Sequence, residues 1–362
     1  MPSDHAYMAE ALRLAQRGLY TADPNPRVGC VIVNGADVVG RGWHARTGGP
    51  HAEIVALRAA GAAAAGATAY VTLEPCCHHG RTPPCSDALI QAGIKRVVIG
   101  VVDANPEVDG GGQRALEAAG IVVDSGVLGA EARALNPGFF SRMTRGRPFV
   151  RSKLAVSLDG RTAMASGESK WITGQAARED VQRWRARSAA ILTGVGTILA
   201  DDPSLNVRAE DLGEVEQPWR IIADSRLRTP ADARTLSLPG EVLVFTGADD
   251  PDRRQALEAA GARVEQLAAD RSGIALAQLM KRLGDLQINE VLVEAGPTLN
   301  GALLQAGLID ELVVFVASLV LGDAGRGMFA LRGLERMSER VALDLTSMRR
   351  VGQDLRLVFS RS

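Results

Sequence analysis

Apolar runs of strand length alternate with stretches of helical spacing through most of the chain. Over Ala6–Arg17, Met8, Leu12 and Ala15 fall on one side of a helix. Two prolines make residues 21–27 a loop that delivers Asn25 to the strand Val28–Val33, and Ala36–Gly42 reads as the return strand. The run HAEIVALRAA, His51–Ala60, lacks Pro and Gly and predicts a helix. Then come strand Ala69–Leu73, helix Ser86–Ala92, strand Arg96–Val101, a loop over Asp103–Gly112, helix Gln113–Ala119 and strand Ile121–Asp124. This alternation predicts a mainly parallel sheet covered on both faces. Cys30, inside an apolar strand, reads as a small buried hydrophobe. Gly110–Gly112 reads as a turn before a helix.

Residues 125–147 read as a join: helical over Ala130–Leu135, broken at Asn136-Pro137-Gly138, then basic over Arg142–Arg147, as in a solvated linker. A second α/β block starts at Phe149. Its strands are Phe149–Ser157, Ala189–Thr193, Arg220–Ala223, Glu241–Thr246, Glu290–Glu294, Glu311–Val316 and Asp354–Phe359. Helices are expected at Gln175–Arg187, Arg254–Ala260 and Ile274–Leu283, and a polar, turn-rich loop at Ala165–Gly174. No internal repeat relates the two blocks. A chain of 362 residues fits two domains.

Composition narrows the class. Hydrophobic residues at 46% and charged residues at 23% are ordinary for a globular protein. A net charge of −1 gives no pull toward nucleic acid or an anionic membrane. No apolar run approaches the roughly 20 residues that span a bilayer. The start, MPSDHAYMAE, lacks the basic and apolar regions of a signal peptide. Three of four cysteines fall between residues 76 and 85, which suits a cytoplasmic metal site better than a disulfide framework.

The strongest chemical signal pairs His51-Ala52-Glu53 with Pro75-Cys76-Cys77-His78-His79-Gly80-Arg81-Thr82-Pro83-Pro84-Cys85. Zinc takes thiolate and imidazole ligands in a tetrahedron, and a catalytic zinc keeps one position open. His51, Cys76 and Cys85 are the candidate ligands and Glu53 the candidate proton shuttle, the division of labour in zinc base deaminases. Residues i and i+2 of a helix lie about 200° apart, so His51 and Glu53 reach one pocket only at the helix N-terminus. The rival is a closed structural site with Cys77, His78 or His79 as fourth ligand; a carboxylate two residues from a ligand has no purpose there. A non-catalytic zinc module on nucleic acid, and a nucleotide or tRNA deaminase with an unrelated second domain, are further rivals.

Signals in the second block are weaker. No GxGxxG follows its first strand, so a doubly wound dinucleotide site is not indicated. Glycines mark two strand-to-helix junctions, Gly194–Gly196 and Gly296–Gly301, where backbone N–H groups can hold a phosphate or simply make a tight turn. Arg185 and Arg208 are candidates for a fork contact with phosphate, and Trp171 for a ring-binding site or a core plug.

HAE at 51–53, VTLEPC at 71–76, HHGRTPPC at 78–85, the run 153–173, LADDPSLNVR at 199–208 and the run 293–312 together resemble the bifunctional deaminase–reductases of riboflavin biosynthesis, nearly end to end. The resemblance implies an α/β fold: a cytidine-deaminase-like α/β/α domain over 1–145, then a dihydrofolate-reductase-like α/β domain over 149–362. It implies zinc-dependent hydrolytic deamination of 2,5-diamino-6-(5-phosphoribosylamino)pyrimidin-4(3H)-one. NADPH-dependent reduction of the ribosyl side chain of 5-amino-6-(5-phosphoribosylamino)uracil to ribityl follows. It carries the zinc ligands His51, Cys76 and Cys85 and the shuttle Glu53. It adds Asn25, His44, Arg81 and Asn105 as deaminase substrate contacts. For the reductase it implies NADPH contacts at Ala155, Trp171, Thr197, Asp201, Ser225, Gly296, Pro297, Thr298, Leu299, Asn300, Gly301 and Ala302. Substrate contacts are implied at Lys153, Ser169, Arg185, Leu205, Arg208 and Glu294. Partners are then phosphorylated pyrimidines, with neither nucleic acid nor membrane, in a homo-oligomer, dimer or tetramer. The second thiol lies nine residues after the first, unlike the P-C-x-x-C of nucleotide-editing zinc deaminases. Cys77 stands where the family pattern leads one to expect a small Ser, and Gly194-Val195-Gly196 replaces a Ser-rich junction.

Overall fold

The computed structural model describes residues 3–77, 83–270, 273–331 and 333–361. The chain divides into two compact units, Met1–Gly146 and Arg147–Ser362. Among the described residues no helix is long and apolar enough to cross a membrane.

The first unit runs α1 (Asp4–Ala15), β1 (Gly29–Asn34), β2 (Asp37–Trp43), α2 (Ala52–Ala60), β3 (Thr68–Leu73), α3 (Cys85–Gln91), β4 (Arg96–Val101), α4 (Gly111–Ala118), β5 (Val122–Ser125), α5 (Gly129–Leu135) and α6 (Pro137–Arg145). Its sheet has the order β2-β1-β3-β4-β5. β1 is antiparallel to β2 and β3, while β3, β4 and β5 are parallel. The strands β1, β3 and β4 are buried on both faces, and successive side chains go to opposite sides. Cys30, Ile32, Ala69, Val71, Val97 and Ile99 meet Ala52, Ala56, Leu89 and Leu116 of α2, α3 and α4. Val31, Val33, Tyr70 and Val98 meet Tyr7, Met8, Ala11 and Leu14 of α1. The result is three layers, α/β/α.

Glycine sets how closely α2 sits. A Cβ on Gly42 would lie 2.2 Å from the Ala52 carbonyl oxygen, and one on Gly40 would lie 2.3 Å from that of Ala56. Backbone therefore rests on backbone, and the N-terminus of α2 is fixed against β2. The region read as a basic linker is mostly helix. Pro137 opens α6 at its first position, and Phe139 and Phe140 bury beside Leu73, Val101 and Ala132. Asn136, 3% exposed, accepts from the Arg27 N–H at 2.8 Å and donates to the Arg27 carbonyl at 2.9 Å. The phenylalanine pair outweighs the arginines that suggested solvent.

The second unit runs β6 (Phe149–Ser157), β7 (Arg161–Ala163), α7 (Gln175–Ala186), β8 (Ala190–Gly194), α8 (Val195–Asp201), β9 (Trp219–Ala223), α9 (Arg234–Ser237), β10 (Val242–Thr246), α10 (Pro251–Ala259), β11 (Arg263–Gln266), β12 (Ala269–Asp270), β13 (Gly273–Ile274), α11 (Leu276–Asp285), β14 (Glu290–Val293), α12 (Pro297–Gln305), β15 (Glu311–Ala317), β16 (Arg326–Gly327), β17 (Leu343–Val351) and β18 (Asp354–Arg361). The large sheet has the order β11-β10-β9-β8-β14-β6-β15-β18-β17. It is parallel from β11 to β15 and antiparallel at β18 and β17. β14, late in sequence, inserts between β8 and β6. Ligands of open α/β sheets bind beyond the carboxyl ends of the strands where the order reverses in this way. The strand β17, absent from the sequence reading, is largely exposed, with Leu345 at 54% and Met348 at 64%, and it lacks the buried face that marks a strand.

Candidate active sites

Local geometry makes the metal cup. His51 is the N-cap of α2 with extended backbone, so Glu53 falls in the first turn. Cys76 follows the end of β3, and Cys85 is the first residue of α3. His51 Nδ1 lies 3.2 Å from Cys85 Sγ and 3.7 Å from Cys76 Sγ, and the three ligand atoms all lie within 4.8 Å of one another. A tetrahedral zinc with its usual sulfur and nitrogen bonds separates its ligand atoms by roughly 3.5–3.8 Å, so the set fits zinc with little rearrangement. The Cys85 N–H donates to Cys76 Sγ at 3.3 Å. With the Cys85 side chain first, then His51, this holds the Cys76 thiol well below its ordinary range, ready to ligate. Cys77 turns instead toward the Glu107 carbonyl, at 3.9 Å, and is not part of the cluster.

Glu53 is 3% exposed, and burial pushes its carboxyl up to about 7 despite the lowering effect of His51. His44, 2% exposed, places Nδ1 3.1 Å from the Pro50 carbonyl and Nε2 3.0 Å from Asn25 Nδ2. A carbonyl only accepts, so Nδ1 carries the proton and Nε2 accepts from the amide. Burial lowers the His44 pKa and favours this neutral form. The His44 ring also meets the His51 ring edge-on, centroids 5.5 Å apart. The Asn105 N–H donates to Asp103 Oδ1 at 2.8 Å, and Asn105 Oδ1 accepts from the Glu107 N–H at 3.1 Å. Arg81, expected in this pocket, lies outside the described residues.

One residue escaped the sequence reading. Glu74, 3% exposed, accepts from the N–H groups of Asp103 and Gly110, each at 3.1 Å, and of Gln113 at 3.0 Å. A glutamate directly before the Pro-Cys turn was the available signal.

In the second unit the glycine junctions face each other. A Cβ on Gly194, the N-cap of α8, would lie 3.6 Å from Leu299 Cδ2 of α12. β14 ends beside β8, and Thr193 Oγ1 donates to the Glu294 carbonyl at 2.7 Å. The Glu294 carboxylate accepts from Arg185 Nε at 2.6 Å and Nη2 at 3.0 Å, and pairs with Lys153 Nζ at 3.0 Å. Burial alone would raise the Glu294 pKa; Arg185 and then Lys153 outweigh it and hold the carboxyl well below its usual range. Arg185 Nη1 donates to the Asn206 carbonyl at 3.0 Å, so the whole fork is engaged. Arg208 is exposed, and its charge feels those of Arg185 and Glu294.

The remaining expected contacts divide. Lys153 and Ala155 share one side of β6; Thr197 and Asp201 lie on α8; Ser225 follows β9. Pro297, Thr298 and Leu299 form the first turn of α12, where N–H groups lack intrahelical partners. Asn300 is fully buried: its Oδ1 accepts from Ser152 Oγ at 2.6 Å, and its Nδ2 donates to the Ala295 carbonyl at 2.7 Å. Its side chain fastens the turn to β6. Gly301 lies against residue 330, where a Cβ would come 2.5 Å from the Ala330 oxygen; Ala302 follows it. Leu205, at φ +48°, is buried. Trp171 is 71% exposed with the Arg178 guanidinium 4.5 Å from its ring, and partly buried Ser169 lies in the same loop.

Comparison with known proteins extends both halves. Residues 1–101 match the cytidine and deoxycytidylate deaminase zinc-binding region, and residues 148–357 match the RibD C-terminal domain. The chain is 51% identical to riboflavin biosynthesis protein RibD of Escherichia coli, across 97% of this chain and 98% of that one. It is 44% identical to RibD of Haemophilus influenzae, across 99% and 97%. The solved structure of Acinetobacter baumannii RibD superposes with a TM-score of 0.91 at 47% identity, covering 99% of each chain. The Thermotoga maritima deaminase/reductase gives 0.87 at 34% identity, again over 99% of each chain.

Proposed function

Because the chain belongs to the RibD family, the bifunctional deaminase–reductases of riboflavin biosynthesis, we propose that its two sites divide the two reactions as follows. The cup at the start of α2 takes 2,5-diamino-6-(5-phosphoribosylamino)pyrimidin-4(3H)-one and hydrolyses its 2-amino group to ammonia. His51, Cys76 and Cys85 hold the zinc, which when bound supplies an activated water and a Lewis acid. Glu53, buried against the ligands and easily protonated, carries the proton to the departing amine. Asn25, its amide direction fixed by neutral His44, leaves Oδ1 to accept from the pyrimidine, and Asn105 and Arg81 complete the grip.

The pocket beyond β8, β14 and β6 takes the resulting uracil and NADPH. The nicotinamide supplies a hydride when bound. The first turn of α12, with Ala155, Thr197, Asp201, Ser225 and Trp171, holds the cofactor. Lys153 and Glu294 face the ribosyl chain with Ser169 and Leu205, and Arg185 holds Glu294 in place. With Arg185 engaged, the substrate phosphate falls to Arg208. The protein works as a homo-oligomer, a reading supported by the apolar side chains on the edge strand β17.

The observation that carries this reading is the meeting of one imidazole and two thiols beside a buried carboxylate. Its test is a coupled assay with the diamino substrate, following ammonia release and NADPH absorbance with and without a zinc chelator. Ammonia comes first; chelation stops ammonia release and, with it, NADPH consumption from the diamino substrate, while reduction of directly supplied 5-amino-6-(5-phosphoribosylamino)uracil continues. NADPH-dependent reduction of the diamino compound without ammonia release would reverse the order and refute the assignment.

A further inference from the structure

We propose that Glu74 is a positioning residue for deamination: its buried carboxylate ties the loop carrying Asn105 to the turn that carries Cys76, and so sets the distance between metal and substrate grip. This rests on the reading of Asn105 as a substrate contact.

Glu74 stands two residues before Cys76, and its N–H donates to the Val101 carbonyl at 3.0 Å, holding it between β3 and β4. Its side chain turns the other way. Oε2 accepts from the N–H groups of Asp103 and Gly110, at the two ends of the loop 104–109. Oε1 accepts from the N–H of Gln113, in the first turn of α4, where the helix offers unpaired donors and the positive end of its dipole. One carboxylate thus closes the loop and caps the helix behind it. Inside the closed loop the hydrogen bonds continue from Asp103 Oδ1 to the Asn105 N–H and from Asn105 Oδ1 to the Glu107 N–H.

Close packing makes the tie rigid. A Cβ on Gly112 would lie 1.9 Å from the Pro75 oxygen, and one on Gly111 would lie 2.6 Å from Cys77 Sγ. The glycine triplet lets α4 meet the ligand turn without an intervening side chain. Asn105 is therefore held to the turn of Cys76 through Glu74 by way of Asp103. An ordinary structural carboxylate would need neither its place beside a ligand turn nor its two amides at the ends of a loop that supplies a substrate contact.

Glu74→Gln tests this, because the side-chain amide keeps the shape but replaces one acceptor with a donor. Asn105→Ala and the double variant are measured with it. Ammonia release gives deaminase kinetics, zinc content is determined on the same preparations, and reductase kinetics on the uracil substrate serve as control. Glu74→Gln is expected to raise the deaminase KM about tenfold, the effect of losing one charged hydrogen bond, with kcat changed less than about threefold. Zinc stays at one equivalent and the reductase is unaffected. Asn105→Ala raises KM likewise, and the double variant is no worse than the worse single, the signature of two residues acting in series. An unchanged KM in Glu74→Gln beside a raised KM in Asn105→Ala overturns the proposal and leaves the reading of Asn105 standing. An unchanged KM in Asn105→Ala overturns that reading itself. Loss of zinc together with kcat in Glu74→Gln shows that it serves the ligands rather than the loop, and also overturns the proposal. Should Glu74→Gln not fold, Asp103→Ala frees the Asn105 end of the same loop, and an unchanged KM there is equally decisive.

Discussion

Glu294 and Arg185 meet in a two-point contact, with Nε and Nη2 of the guanidinium each on its own carboxylate oxygen, and Lys153 closes the third side. A buried carboxylate between two cations is stable only while ionised. The folded Glu294 pKa lies well below its ordinary value of 4.5, so the stability it contributes is fully present above that pH. It is lost as the pH falls below that value and through the folded pKa. Glu294→Gln strands both cations and is expected to destabilise the second unit by about 3–5 kcal/mol near neutrality. Scanning calorimetry between about pH 6 and pH 3 should show the wild-type transition falling with acid and the variant losing that part of the slope. A variant as stable as wild type at neutral pH would remove Glu294 from any buried ion network.

Glu53→Gln keeps the volume of the side chain at the start of α2 but cannot accept a proton. It is expected to bind zinc fully, to lower deaminase kcat at least about 10²-fold, and to leave reduction untouched. Metal analysis alongside ammonia release checks this. Substantial residual deamination would move the proton transfer elsewhere.

Asn25→Asp places a second acceptor against the unprotonated Nε2 of His44. The amide's directed bond is lost, and the deaminase KM is expected to rise about tenfold. Steady-state kinetics decide it; an unaltered KM takes Asn25 out of the pocket.

Gly42→Val drives a branched side chain into the backbone of α2, where even a Cβ would lie 2.2 Å from the Ala52 oxygen. The helix must lift, taking His51 and Glu53 with it. A loss of about 1–3 kcal/mol in the first unit is expected, with faster zinc release to a competing chelator. Unchanged release would show that the cup does not depend on the seat of the helix.

The metal cup was legible in the sequence because it is local: His51 and Glu53 share one helix start, and Cys76 and Cys85 flank one turn. The alternation of strands and helices was legible for the same reason. Sequence signals failed where long-range packing decides. Phe139 and Phe140 turn a basic join into a core helix. The engagement of Arg185 depends on Glu294, 109 residues away in the chain. Asn300 is expected among the cofactor contacts, and the bond its side chain makes to Ser152 on a distant strand had no local signal. Glu74 needed the loop at 103–113 brought beside it before its purpose was visible.

The insertion of β14 between β8 and β6 has a consequence for synthesis. Domains generally fold as units, N-terminal first. The first unit is complete once residue 146 has emerged, zinc ligands included. The second opens with β6, whose neighbours in the sheet are β14 and β15, made only when residues 290–317 emerge. Until then a strand of nine residues waits beside the ribosome without a partner, and late pairing of this kind is slow. A ribosome that stops before β15 should therefore leave a working deaminase fused to a segment that aggregates or draws chaperones, while the completed chain escapes both.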